Sequence, residues 1–219
     1  MSPSNEKIRT LIQCDFDGTV TLEDVSFHLL DNFADGDWRQ ALAEYREGKI
    51  SVGDFNTKAF AMIRADEPTL LDSLKGNVGI RAGFDELLAY CRYRGFRFVI
   101  VSNGLEFYIK NILRDLGVAG IEIIAARAEF NPAGLEVKYI GPDGNVLQDG
   151  FKEAYTEVFL KDGYRVVYIG NGVSDSLPAR RAHYIFATGD LRDHCRQIKL
   201  SHTPFDDFKD VVQGLARLK

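Results

Sequence analysis

The stretch "LIQCDFDGTVTLED", Leu11 to Asp24, decides how the rest of the chain is read. Leu11, Ile12 and Phe16 are apolar, and Cys14 belongs to a residue type that is usually buried, so the run reads as the end of a buried strand. It stops in two carboxylates, Asp15 and Asp17, followed by Gly18 and Thr19. Two further runs share the design: "FRFVIVSNG" ends in Ser102 and Asn103, and "YRVVYIGNG" ends in Asn171. All three are nearly continuous in apolar residues, as strands covered on both faces are. Helical patterns lie around them, "AGFDELLAYCRYRG" before the second, "EFYIKNILRDLG" after it and "FKEAYTEVFLKDG" before the third, each closed by a glycine. Strands alternating with helices argue a parallel sheet. Parallel strands present their C-terminal ends on one edge, where ligands of open α/β sheets bind. Asp15, Ser102 and Asn171 are therefore expected to converge.

The fold expected is α/β, a Rossmann-like parallel sheet core with a small inserted helical bundle. The insert runs over 22–77 and contains "SFHLLDNFA", "DWRQALAEYREGKI" and "VGDFNTKAFAMIRA", with apolar positions at helical spacing. It is too long for a plain βα connection and leaves the sheet just after Asp17, so it is expected to cover the site. The core then comprises 1–21 and 78–219. A second excursion, "FNPAGLEVKYIGPDGNVLQDG", carries the turn signals "NPAG" and "PDGN" and reads as a hairpin or flap.

Composition narrows the classes. With 45% hydrophobic and 27% charged residues the 219-residue chain is an ordinary globular one, long enough for one sizeable core. A formal net charge of −5 offers no basic footprint for nucleic acid or an anionic membrane. The three cysteines, Cys14, Cys91 and Cys195, form neither a disulfide framework nor a CxxC pair, which fits a reducing cytoplasm. No run has the length of a signal h-region or a transmembrane span. The expected partner is a small molecule; the oligomeric state is not readable.

Two acids one residue apart at a strand tip can divide labour, one attacking and one exchanging protons. Taken alone, "DFDGT" reads better as a solvated turn. At the second tip, Ser102 offers a hydroxyl, and the amides of Asn103 and Gly104 suit a phosphoryl oxygen. Lys152 stands near a helix start, where a cation opposes the helix dipole, so a use for its charge would explain it; a surface lysine is the alternative. "IGNGVSD" supplies Asn171 and Asp175, whose oxygens suit Mg²⁺, or an N-cap ahead of "SLPARRA".

"DFDGT", "SNG", Lys152 and "GNGVSD", in that order, resemble the motifs of the haloacid dehalogenase superfamily of phosphohydrolases. The insert after the first motif resembles that superfamily's cap. Among its branches the chain is most similar to the one holding phosphoserine phosphatase and 2-hydroxy-3-keto-5-methylthiopentenyl-1-phosphate phosphatase, and "GVSDSLPARRAHYIFA" and "HTPFDDFKDVV" lean to the latter. The resemblance implies a Mg²⁺-dependent phosphomonoesterase acting on a small metabolite. Asp15 would attack phosphorus. Asp17 would protonate the leaving group and then activate water. Ser102 would bind the phosphoryl group, with Thr19, Asn103 and Gly104 beside it, and Lys152 would offset negative charge. Asp15, the Asp17 carbonyl and Asn171 would make up the metal site, and Asp175 would complete or orient it. Asp24 would face the substrate, near where an acid of phosphoserine phosphatases meets an ammonium.

The chain departs from the family at Asn171, where an Asp is usual; an amide oxygen still ligates Mg²⁺ but brings no charge. Two other classes stay open, a phospho-accepting signalling domain and a phosphate-binding protein with weakened catalysis. His28, His183, His194 and His202 lack a close metal spacing. Trp38, Phe55 and Phe60 are expected in the core of the helical bundle.

Overall fold

The computed structural model describes residues 8–218, so the first seven residues of the expected core segment 1–21 and the last of 78–219 lie outside it. The chain opens with β1 (Thr10–Cys14) and passes through four helices, α1 (Val25–Phe33), α2 (Trp38–Arg46), α3 (Val52–Phe60) and α4 (Glu67–Leu74). There follow α5 (Phe84–Arg94), β2 (Arg97–Leu105), α6 (Glu106–Asp115), β3 (Glu122–Asn131), β4 (Gly134–Ile140) and β5 (Val146–Leu147). The rest is α7 (Phe151–Lys161), β6 (Arg165–Gly170), α8 (Ser176–Arg181), β7 (Tyr184–Ala187), α9 (Gly189–Gln197), β8 (Thr203–Pro204) and α10 (Phe208–Arg217).

Among the described residues the strands form one eight-stranded sheet in the order β5-β4-β3-β2-β1-β6-β7-β8. It is parallel from β3 through β8. The central strands are apolar because both faces are covered. Leu11, Ile12, Val99, Ile100, Val101, Val166, Val167 and Ile169 are fully buried, and each such side chain stabilises the fold by about 1.5–3 kcal/mol relative to exposure. The register sets the site. Cys14 lies opposite both Ile100 and Ile169. Asp15 follows Cys14 directly, and Ser102 and Asn171 stand two residues past their partners, so all three leave the sheet at one edge.

The second excursion lengthens the sheet rather than forming a separate flap. β3 pairs antiparallel with β4, turning between Asn131 and Gly134, and β4 pairs antiparallel with β5. The four helices after β1 begin where their caps dictate: Asp24, Asp37, Ser51 and Asp66 each accept an amide hydrogen from the first turn of the helix they precede. Trp38, Phe55 and Phe60 are buried in this bundle, as expected. The three cysteines are free and buried, and no helix among the described residues is long and apolar enough to cross a membrane.

Candidate active site

The loop after β1 is held from inside and from behind. The Phe16 carbonyl accepts the amides of Thr19, Val20 and Thr21. Arg81 donates Nη2 to the Gly18 carbonyl and Nε to that of Thr19, both at 2.8 Å, and Nη1 to Asp206. Gly18 takes φ +71°, and a Cβ there would collide with the Asn171 amide, so glycine is required both for the turn and for the approach of the third strand tip.

At the centre lies Lys152. Its Nζ stands 2.7 Å from Asp15 Oδ1 and 2.7 Å from Asp175 Oδ1. All three side chains are buried. The lysine is placed by Gln13, a polar residue inside β1: Gln13 Nε2 donates to the Lys152 carbonyl, and Thr156 on α7 donates to Gln13 Oε1 at 2.8 Å. One ammonium thus serves two buried carboxylates. Burial, then the neighbouring Asp175, pushes the Asp15 carboxyl up to about 7 against the pull of Lys152. Burial opposes the charge on Lys152, but Asp15 and Asp175 outweigh it and hold the ammonium firmly protonated.

Asp17 is buried beside it. Its Oδ2 accepts the Tyr108 hydroxyl at 2.5 Å, and its Oδ1 accepts the Val25 amide at 3.2 Å. Burial, then the charge of Asp24, pushes its carboxyl well above the usual range, and the Tyr108 hydrogen bond only partly offsets this. A cation bound next to it would pull it down again. Asp24 lines the same cavity, yet one of its oxygens caps α1 by accepting the Phe27 amide. Burial raises its carboxyl to about 6.

At the second strand tip Ser102 is fully buried, and its Oγ accepts the Gly104 amide at 3.0 Å. The Asn103 carbonyl accepts Asn56 Nδ2 from α3 at 3.2 Å and the Tyr139 hydroxyl from β4 at 2.8 Å. The helical insert and the extra hairpin therefore meet on this loop. Above the strand tips opens a cavity of 420 Å³, bordered by Asp15, Asp17, Ser102, Lys152 and Asn171 below and by Phe27, Leu42, Tyr45 and Phe55 from the insert. That volume suits a small metabolite.

Eight of the ten expected residues stand on this wall: Asp15, Asp17, Asp24, Ser102, Asn103, Gly104, Lys152 and Asn171. The other two lie off this wall. Asp175 was expected to complete or orient the metal shell; in the structure both its oxygens accept hydrogen bonds. Lys152 and Tyr168 donate to Oδ1, and the amides of Asn171 and Gly172 donate to Oδ2. It holds Lys152 and the third loop in place. Thr19 was expected at the substrate, but it is fully buried behind the wall, and its hydroxyl donates to Asn171 Oδ1 at 2.8 Å.

The oxygens with room for a cation are Asp15 Oδ2, which has only a long 3.5 Å contact from the Thr19 hydroxyl, the Asp17 carbonyl and the second lone pair of Asn171 Oδ1. Hard oxygens with a single carboxylate fit Mg²⁺, which keeps several waters. Among the described residues no cluster of three or more His, Cys, Asp or Glu side chains is placed to hold a metal. The sequence reading missed Arg81, Tyr108, Tyr168, Asn56, Tyr139 and Gln13. Only Gln13 left a local signal, a polar residue inside an apolar strand that must find partners.

The model of the haloacid dehalogenase-like hydrolases matches residues 12–179. The chain belongs to this family. It is 29% identical over 211 residues to the 2-hydroxy-3-keto-5-methylthiopentenyl-1-phosphate phosphatase of Geobacillus kaustophilus, covering 94% of this chain and 95% of that one. It is also 29% identical over 223 residues to Pdp3-interacting factor 1 of Schizosaccharomyces pombe, covering 97% of each. A substrate-bound phosphoserine phosphatase superposes with a TM-score of 0.71 at 16% identity, covering 95% of this chain and 99% of that one. At that identity the likeness speaks for the fold. The chain is thus a haloacid dehalogenase-like hydrolase with phosphatases among its relatives, and the four motifs read in its sequence lie within the matched span.

Proposed function

We propose that this hydrolase is a Mg²⁺-dependent phosphomonoesterase that acts on a small phosphorylated metabolite through an aspartyl phosphate. Both 2-hydroxy-3-keto-5-methylthiopentenyl-1-phosphate and phosphoserine are candidate substrates. The observation that carries the reading is the Lys152 ammonium shared at 2.7 Å by Asp15 and Asp175 beneath an open cavity. A carboxylate attacking a phosphate dianion meets like-charge repulsion, and a fixed cation at the attacking oxygen's own carboxylate reduces it. An Asp15 oxygen forms a bond to phosphorus while the ester P–O bond breaks, and Asp17 gives its proton to the departing alkoxide. Asp17, now a carboxylate, takes a proton from water as the water oxygen attacks the same phosphorus. The P–O bond to Asp15 then breaks, giving inorganic phosphate and the free carboxylate. A Mg²⁺ held by Asp15, the Asp17 carbonyl and Asn171 would supply charge neutralisation at the phosphoryl oxygens. The insert 22–77 acts in this reading as the cap that closes the cavity. Steady release of phosphate from p-nitrophenyl phosphate with Mg²⁺ tests the proposal. A phospho-accepting domain would label once and stop, and a phosphate-binding protein would do neither.

Asp17→Asn is expected to lower phosphoenzyme formation from alkyl phosphates by roughly 10²–10⁴-fold, the usual weight of a general acid. The loss should be smaller for p-nitrophenyl phosphate, whose leaving group needs little protonation. Equal losses for the two esters in single-turnover measurements would remove the acid role.

Asn171→Asp should bind Mg²⁺ more tightly, because an anionic oxygen attracts a hard cation more than an amide does. The new carboxylate also repels Asp15 and the substrate, so the expected gain is in metal affinity and not in kcat. Calorimetric Mg²⁺ titrations of both proteins at one pH and ionic strength check this; unchanged or weaker binding by a folded Asn171→Asp protein takes Asn171 out of the metal site.

A further inference from the structure

Tyr108 lies on α6, fully buried, and its hydroxyl has two partners. It donates to Asp17 Oδ2 at 2.5 Å, and it stands 2.8 Å from Ser26 Oγ on α1. Ser26 itself borders the cavity. The backbone makes room for this contact. A Cβ on Gly104 would collide with both the Tyr108 hydroxyl and Asp17 Oδ2, so a side chain at the second strand tip is incompatible with the pair. The start of α1, close in sequence, and α6, some ninety residues on, therefore meet on the one carboxylate that follows β1.

We infer that Tyr108 is a positioning residue for Asp17, fixing the rotamer of that carboxyl and tying it through Ser26 to the first helix of the insert. The inference rests on the reading of Asp17 as the group that moves the proton. A carboxyl that must give a proton to one leaving oxygen has to present that proton from a defined oxygen in a defined direction. With the phenol donating to Oδ2 and the Val25 amide to Oδ1, the two donors fix the plane of the carboxyl and the direction in which each oxygen faces. Without the phenol the carboxyl can rotate about χ2 and exchange its two oxygens. Misplacement of a reacting group by about 1 Å costs on the order of 10²-fold in rate. The Ser26 contact adds a consequence: when the first helix of the insert moves, the anchor of the acid moves with it.

An ordinary buried tyrosine would also be buried and hydrogen-bonded, so the test needs a reading that loss of packing does not imitate. The full chain is compared with Tyr108→Phe, Ser26→Ala and Asp17→Asn in single-turnover reactions with Mg²⁺, on a primary alkyl phosphate and on p-nitrophenyl phosphate. Circular dichroism establishes that each variant is folded. Tyr108→Phe keeps the ring and loses the hydroxyl. It should lose roughly 10–100-fold in the rate of alcohol release from the alkyl ester, with KM little changed, and several-fold less on the nitrophenyl ester. Ser26→Ala should shift the two rates in the same direction by a smaller factor, and it decides the matter if Tyr108→Phe fails to fold. Equal loss on both esters, or none, overturns the positioning role. If Asp17→Asn itself shows no ester-dependent loss, the proton-transfer reading falls and this inference with it. If Asp17→Asn shows the loss and folded Tyr108→Phe does not, only this inference falls.

Discussion

Asp15→Asn is expected to abolish turnover and, in the same protein, to raise stability. The activity loss follows from chemistry: the amide keeps the shape of the carboxylate but has no anionic oxygen to attack phosphorus. The stability gain follows from counting buried charges. Lys152 faces both Asp15 and Asp175, so with all three ionised the cluster carries one uncompensated negative charge. The amide removes it and leaves a balanced Lys152–Asp175 pair. The sign with pH is definite. The folded pKa of Asp15, about 7, lies above its ordinary 3.8, so the folded state holds this proton more tightly than the unfolded state does. Its contribution is therefore fully present below pH 4 and lost as pH rises through about 7. Wild type and variant should nearly match at pH 4 and separate up to neutrality, with Asp15→Asn on the order of 4 kcal/mol more stable at pH 8. Urea unfolding in EDTA, at pH 4, 6 and 8, measures this. Adding Mg²⁺ should raise the stability of wild type more than that of the variant, because a ligand selective for the folded state stabilises it. A variant that is less stable than wild type at pH 8, or that still turns over in a homogeneous undeamidated preparation, contradicts the assignment.

That trade-off could not be read from the sequence, although its parts could. Strand tips are legible because apolar runs of near-constant character end abruptly in polar residues, and parallel pairing forces such ends onto one edge. Asp15, Ser102 and Asn171 were thus placed together from periodicity alone. The helices of the insert were legible from a different pattern, apolar positions at helical spacing, and their caps explain their limits. What stayed hidden were contacts between elements. Tyr108 sits in a buried stripe with Ile109 and Ile112, where a tyrosine looks like any core aromatic. Asn56 and Tyr139 are 83 residues apart yet share the Asn103 carbonyl. Asp175 shows a different limit. A carboxylate four residues past a strand tip looks the same in sequence whether it faces a cation or accepts backbone amides, and only the Asn171 and Gly172 amides on Oδ2 decide between them. Thr19 shows a related limit: its sequence position does not tell whether the hydroxyl faces the cavity or, as here, bonds Asn171 behind the wall.

Lys152→Met should produce the largest loss of stability of any single change at the site. The ammonium is buried and offsets two carboxylates. Methionine fills similar space and leaves Asp15 and Asp175 facing each other without a cation. Breaking a buried ion pair by removing one partner costs about 3–5 kcal/mol, most of it the penalty of the charge left behind. The deficit should be largest at pH 8 and shrink on acidification, because protonation removes the stranded anions. Turnover should vanish with it, since the like-charge repulsion between nucleophile and phosphate is no longer offset. A double variant separates the causes. In wild type, Asp15→Asn relieves repulsion from Asp175 but forfeits attraction to Lys152. In the Lys152→Met background there is no attraction to forfeit, so the same substitution should stabilise by more. The difference between the two effects is the coupling of Asp15 to Lys152. Urea unfolding of the four proteins in EDTA at pH 8 gives it directly. If Asp15→Asn has the same effect in both backgrounds, the two charges do not interact in solution, and the buried pair with Lys152 is not what holds Asp15.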